Sequence, residues 1–172
     1  DSGQTWRWAT KDLGAIAVFA VLVDPHDAAR IYAGSWGHNI LRSTDAGETW
    51  APIHHGLETL SVHAIGVDPA DAGGLYAGTV EAVYRSLDDG ETWQASPFDD
   101  RPLTTFALLI DPTMPQRVLA GTTTGVYCSE DGALTWQLGS PLESKRTHCS
   151  VPLTDTQSPP SQSASEPQAR PQ

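Results

Sequence analysis

Ser43-Thr44-Asp45-Ala46-Gly47-Glu48-Thr49-Trp50 is a phrase the chain uses four times. It opens the chain as Asp1-Ser2-Gly3-Gln4-Thr5-Trp6 and returns as Ser86-Leu87-Asp88-Asp89-Gly90-Glu91-Thr92-Trp93. The last copy, Ser129-Glu130-Asp131-Gly132-Ala133-Leu134-Thr135-Trp136, is degenerate: alanine stands where glycine is expected, with Gly132 one place early. Trp6, Trp50, Trp93 and Trp136 follow one another at intervals of 44, 43 and 43 residues. A regular period means a repeat architecture, and about 40–45 residues is the length of one four-stranded propeller blade.

The phrase suits a hairpin. A carboxylate at Asp45 or Asp88 can accept hydrogen bonds from backbone N–H groups ahead of it and close the turn. Gly47 and Gly90 supply a backbone conformation that residues with a Cβ resist. Thr49 and Thr92 re-enter a strand, and Trp50 and Trp93 offer apolar area to wedge between neighbouring blades. Ser43 and Ser86, with Ser129, Asp131, Thr135 and Trp136 of the last copy, are read as the same scaffold.

Outward from the box, more recurs. Val23-Asp24-Pro25, Val67-Asp68-Pro69 and Ile110-Asp111-Pro112 sit at matching offsets, as do Ala33-Gly34, Ala77-Gly78 and Ala120-Gly121. Each repeat thus reads as an apolar inner strand, an Asp-Pro turn, a strand through Ala-Gly, a third strand, the box and a fourth strand. The inner strands, 19–23, 63–67 and 106–110, are nearly continuous apolar runs, as expected of strands buried on both faces. Small residues in the second strand mark close approach of adjacent sheets.

Ser-x-Asp-x-Gly-x-Thr-Trp at 43–50 and 86–93 resembles the Asp-box of BNR-type repeat proteins, and the Tyr-Ala-Gly and Asp-Pro pattern around it is similar to the YVTN/BNR-like propellers. These include sortilin-type receptor domains, the photosystem II assembly factor and xyloglucanase-type glycoside hydrolases. The resemblance covers about residues 1–140 and implies a fold more than a function, because its members do different things on one scaffold. It also implies an extracellular or periplasmic home.

The expected fold is all-β: a partial propeller of about three four-stranded blades plus one extra outer strand over residues 1–142. Closed propellers have about four to eight blades, so the chain reads as part of a longer propeller or as an open arc able to self-associate through its blade edges. Residues 143–172, rich in Ser, Pro and Gln, read as a disordered tail.

The net charge of −11 is mostly scaffold, since 11 of the 21 acidic residues lie in boxes and Asp-Pro turns. An acidic chain without a basic stripe argues against nucleic acid as a partner, and no run is apolar enough for membrane insertion. Two cysteines define no framework, and the sequence leaves open whether Cys128 and Cys149 pair.

Chemistry is sought where the repeat fails. In a propeller the turns between second and third strands, and the loops between blades, form one face. Here they hold Trp36, His38 and Asn39, then His54 and His55, then Asp99, Asp100 and Arg101. Trp36 beside two hydrogen-bonding side chains suits a sugar ring or a peptide side chain, or simply caps the blade edge. His38, His54, His55 and His63 raise the question of a metal, but no diagnostic ligand spacing joins them, and neither metal nor cofactor is expected. Glycoside hydrolysis would need two carboxylates about 5–9.5 Å apart, and Glu58, Glu81, Asp99 and Asp100 are the acidic residues outside the repeat able to serve. No nucleophile elbow or phosphate loop is present, and no catalytic residue is assigned. The expected function is a non-catalytic scaffold presenting loops to a protein or glycan ligand, with part of a glycoside hydrolase as the alternative.

Overall fold

The computed structural model describes residues 3–9, 13–57, 61–98 and 101–139. The segment 143–172, together with Asp1, Glu58, Asp99, Asp100 and Cys149, lies outside the described residues. Three antiparallel four-stranded sheets follow one another along the chain. The first blade holds β1 (Val18–Val23), β2 (Ile31–Ser35), β3 (Ile40–Ser43) and β4 (Ala51–Pro52). The second holds β5 (Val62–Val67), β6 (Leu75–Thr79), β7 (Val83–Ser86) and β8 (Gln94–Ser96). The third holds β9 (Thr105–Ile110), β10 (Val118–Thr122), β11 (Gly125–Ser129) and β12 (Gln137–Leu138). Strand order within each blade follows the sequence, as short hairpin connections dictate. The innermost strands β1, β5 and β9 pack side by side, which makes the assembly an arc of propeller blades.

The boxes at 43–50, 86–93 and 129–136 close through the same bonds. Ser43 Oγ donates to Asp45 Oδ1 at 2.8 Å and accepts from the Gly47 N–H at 2.8 Å. Asp45 also accepts from the Thr49 N–H at 2.8 Å and the Thr49 hydroxyl at 2.6 Å. Asp88 repeats the set with Ser86 and Thr92, and Asp131 with Ser129 and Thr135. The degenerate copy therefore keeps the turn. Two consecutive residues take positive φ in every described box: Ala46 and Gly47 at 58° and 88°, Asp89 and Gly90 at 58° and 84°, Gly132 and Ala133 at 73° and 64°. Ala133 tolerates the left-handed conformation because the serine–aspartate bonds over-determine the turn.

The hydrogen bonds from Thr49 and Thr92 hold the Asp45 and Asp88 carboxyls at a pKa of about 2. At Asp131 burial works against the carboxylate, but the Thr135 and Ser129 bonds still bring it to about 2. Folded values below the unfolded ones mean stability that is complete above about pH 4 and lost as pH falls toward 2. Acid titration followed by tryptophan fluorescence should show unfolding in that window. Asp88→Ala should lower the melting temperature at pH 7 and flatten this acid limb, and an unchanged profile would contradict the turn argument.

Asp24, Asp68 and Asp111 do more than precede proline. Their Oδ1 atoms each accept the N–H two residues on, at 2.8 Å, from His26, Ala70 and Thr113. The Ala-Gly positions do mark close approach: a Cβ on Gly34 would stand 2.7 Å from the Val62 carbonyl oxygen, and one on Gly78 2.7 Å from Thr105 Cγ2.

One expectation is corrected. Inner strands are not equally buried: β5 is covered on both sides, whereas Val21 and Val23 of β1 and Leu109 of β9 are exposed. Among the described residues only β5 has a blade on each side, and burial of a strand's second face depends on that neighbour. Trp93 and Trp136 wedge between blades in two clusters, with Tyr84, Ile53 and Leu57 in one and Phe98, Tyr127 and Val118 in the other. Trp6 is instead 90 % exposed. Residues 3–9 nonetheless stand where an outer strand belongs, because Ala9 O accepts Trp50 Nε1–H at 3.1 Å just as Ile53 O accepts Trp93 Nε1–H at 3.0 Å.

Candidate functional site

The register of the hairpins sorts every loop to one of two ends. Val18 pairs with Ser35, Val62 with Thr79 and Thr105 with Thr122. The turns between second and third strands therefore lie at the end where the inner strands begin. The loops between blades lie there too, and the boxes and Asp-Pro turns lie at the opposite end. At the box end the described aspartates are engaged in their own turns or, at Asp89, in a bridge between blades. The loop end gathers what does not repeat.

Trp36 is 65 % exposed, and its backbone is fixed by a bridge to Ser61 and by donation from its N–H to Ala17 O at 2.9 Å. An anchored backbone carrying an open indole is a rigid platform. His38 is exposed beside it. Asn39 is buried, holds φ at 54°, and its carbonyl accepts from the Ser35 N–H at 2.8 Å, so its work is the turn itself. His54 and His55 are exposed, their ring centroids 5.9 Å apart, while their carbonyls accept from Leu57 and Trp93 N–H groups. Arg101 is exposed and bridged to Phe98. Of the four acidic residues considered for glycoside hydrolysis, Glu81 is the one among the described residues, and it is exposed.

His63 sits on the innermost strand between two rings: Phe19 edge-on at 4.8 Å and Phe106 stacked at 5.6 Å. Its Nε2 is 2.7 Å from Ser61 Oγ, and Nδ1 is buried without a hydrogen bond. Phe19 and Phe106 are both exposed, so the three rings form a row at the loop end along the inner wall of the arc. His63 stands where the other two inner strands carry Phe19 and Phe106, and the row is not legible in sequence because side-by-side packing of β1, β5 and β9 is a tertiary fact. Among the described residues no group of three or more His, Cys, Asp or Glu converges to hold a metal.

The residue after the box aspartate was also missed. Asp89 reaches back to the first blade, where Tyr32 donates to its Oδ1 at 2.7 Å and Arg42 Nη1 to its Oδ2 at 2.9 Å. Arg42 Nη1 also donates to Asp89 O at 2.8 Å, and Arg30 approaches Oδ1 at 3.4 Å. Burial, reinforced by the bond to Asp89, pushes the Tyr32 hydroxyl well above its usual range. Ser2, Ala46 and Gly132 hold this position in the other boxes. That variation inside an otherwise constant phrase was the available signal. Arg42 thus ties the first blade to the box of the second.

Cys128 occupies on β11 the place of Arg42 and Arg85, and it is disulfide-bonded. The chain contains one other cysteine, Cys149.

Repeated boxes, blades in sequence and non-repeating loop residues gathered at one end define an Asp-box β-propeller protein. The chain belongs to the Sortilin-Vps10 family (Sortilin, neurotensin receptor 3), whose model matches residues 38–168. Among solved structures it is similar to an ancestral GH74 enzyme, with 25% identity, a TM-score of 0.63 and coverage of 73% of this chain and 19% of that one. The GH74 xyloglucanase from Xanthomonas campestris shares 20% identity at a TM-score of 0.61, over 77% of this chain and 25% of the enzyme. YCF48 bound to D1 peptide shares 15% identity at a TM-score of 0.57, over 71% of this chain and 40% of YCF48. The chain thus spans a fifth to two fifths of the length of these proteins. No curated protein matches it. Among the described residues no helix is long and apolar enough to cross a membrane.

Proposed function

We propose that this chain is a non-catalytic stretch of propeller that presents its loop end to a protein or glycan ligand outside the cytoplasm. The observation that carries this reading is the anchored, open indole of Trp36 at the same end as His38, His54 and His55 and the Phe19–His63–Phe106 row. Aromatic faces backed by a rigid sheet bind sugar rings and apolar peptide side chains at little conformational cost. One propeller neighbour was solved with a peptide bound, which supports a protein ligand, and another is an extracellular domain, which supports a home outside the cytoplasm. Arg101, exposed at the same end, would line the rim.

The alternative is a set of blades from a glycoside hydrolase, favoured by the 25% identity to a GH74 enzyme. In that case Trp36 would be a sugar platform, and the acid and base would stand on other blades.

The two readings separate by titrating the chain against xyloglucan oligosaccharides and against an immobilised library of extended peptides. Trp36→Ala with His38→Ala should weaken the bound class at least about tenfold, the scale of one lost aromatic hot spot, with no change in melting temperature. Binding unchanged in the double variant would remove the loop end as the site. Binding of oligosaccharide alone would favour the hydrolase reading.

A further inference from the structure

Two positions at the box end break the repeat, both in the third blade. The first lies in the Asp-Pro turn. Asp27 O accepts the Arg30 N–H at 2.9 Å, Asp71 O the Gly74 N–H at 3.0 Å and Met114 O the Arg117 N–H at 2.8 Å. Met114 therefore stands where the first two blades carry exposed aspartates. Those aspartates each accept the N–H two residues on at 3.0 Å, a turn bond that a methionine cannot make. The second position lies in the box. Gln4, Glu48 and Glu91 precede the box threonine and are exposed, and Leu134 takes their place in the last copy. A blade that gives up local polar groups for open apolar ones breaks its own pattern, which is expected at functional positions.

The two positions adjoin. In every blade the box donates to the Asp-Pro turn: Ala46 N–H to Ala29 O at 2.8 Å, Asp89 N–H to Gly73 O at 3.0 Å and Gly132 N–H to Gln116 O at 2.7 Å. Met114 and Leu134 each lie two residues from the last of these bonds. Their backbones are pinned as well, Met114 N–H donating to Asp111 Oδ1 at 3.2 Å and Leu134 N–H to Asp131 Oδ1 at 3.0 Å. Met114 is 51 % and Leu134 65 % exposed, and neither joins a core cluster. The second blade's box comes up beside them, since a Cβ on Gly132 would stand 3.4 Å from Arg85 Nη2. That box carries Leu87, 61 % exposed, where the others have Thr44 and Glu130.

Charge selects what such a surface takes. The second box, with the box and Asp-Pro turn of the third blade, holds Asp88, Asp89, Glu91, Asp111, Glu130 and Asp131 against one basic residue, Arg117, which lies 3.9 Å from Asp111. We propose that Met114, Leu134 and Leu87 form a second binding surface, at the end opposite Trp36, for a protein segment that presents apolar side chains flanked by lysine or arginine. Apolar side chains on pinned turns supply the contact, and the carboxylate rim supplies the complementary field. Methionine adapts its flexible thioether to the shape it meets. The same carboxylates repel the anionic surface of a membrane leaflet.

The probe is a synthetic amphipathic helix of leucine and lysine, titrated into the full chain by calorimetry. A leucine–glutamate helix of the same length is the control and should bind at least about tenfold more weakly. Met114→Asp with Leu134→Glu gives the third blade the residues of the first two, so the melting temperature should hold. This variant should weaken the lysine helix at least about tenfold, although two added carboxylates would by charge alone strengthen it. Peroxide leaves the charge alone: it transfers one oxygen to Met114, the one methionine of the chain, and becomes water. The sulfoxide should weaken binding about threefold or more. Trp36→Ala with His38→Ala should leave the affinity as it was. No binding by wild type, equal binding of both helices, or binding undiminished in the Met114–Leu134 variant or after complete oxidation overturns the surface. Loss in the Trp36–His38 variant would put the helix at the loop end and overturns it too. So does a doubled mass by light scattering that the Met114–Leu134 variant abolishes, because a second copy would then be the occupant.

Discussion

Trp93→Ala should cost about 3–5 kcal/mol, the range for a large aromatic removed from a packed interior. The indole is 5 % exposed and lies in the cluster that joins the first two blades, against Ile53, Leu57 and Tyr84. Its Nε1–H donates to Ile53 O at 3.0 Å and Gly90 O at 3.1 Å, so truncation also strands two buried carbonyls. The same substitution at Trp6, which is almost fully exposed, should fall within about 0.5 kcal/mol of wild type. Urea unfolding followed by circular dichroism measures both. Equal losses at the two positions would mean that the box tryptophan acts within its own hairpin rather than between blades.

Gly56→Ala should cost about 2–5 kcal/mol. Gly56 holds φ at 87°, a conformation that costs an L-residue about 1–2 kcal/mol. A Cβ there would also stand 2.6 Å from the Trp93 carbonyl oxygen, which is backbone and held by the sheet. Relieving that contact requires the loop to move off the second blade, at the 1–3 kcal/mol or so typical of overpacking. Gly37→Ala is the control: its φ is 82° but nothing lies within 4 Å of the added carbon, so only the conformational part should appear. If the two substitutions cost the same, the contact between the 53–57 loop and Trp93 is looser than the geometry states.

Both substitutions act on the junction between blades, where sequence reading is weakest. The Asp-box was legible because its bonds run over four residues or fewer: Ser43, Asp45, Gly47 and Thr49 satisfy one another whatever surrounds them. The same holds for the Asp-Pro turns. The loop end was legible by subtraction, since Trp36, His38, His54 and His55 stand among the positions where the repeat fails. The aromatic row was not, because Phe19, His63 and Phe106 are more than 40 residues apart in sequence and become neighbours only when inner strands stand side by side. Asn39 is legible as a non-repeating loop residue beside Trp36, whereas its positive φ and burial appear only in the folded turn.

By itself, then, the sequence determined the repeat, the strand order within a blade, the closure of each box and the end at which non-repeating side chains collect. These follow from hydrogen bonds and hairpins of short span, which form the same way in every copy. The tertiary structure decided which copy of each repeated residue is buried, bridged or open. Trp93 is wedged while Trp6 is bare, Asp89 latches the first blade while Gly132 in the same slot cannot, and β5 is covered on both sides while β1 and β9 are not. The physical reason is that burial and cross-blade bonding belong to pairs of neighbouring blades, and identical local sequence has different neighbours along an arc.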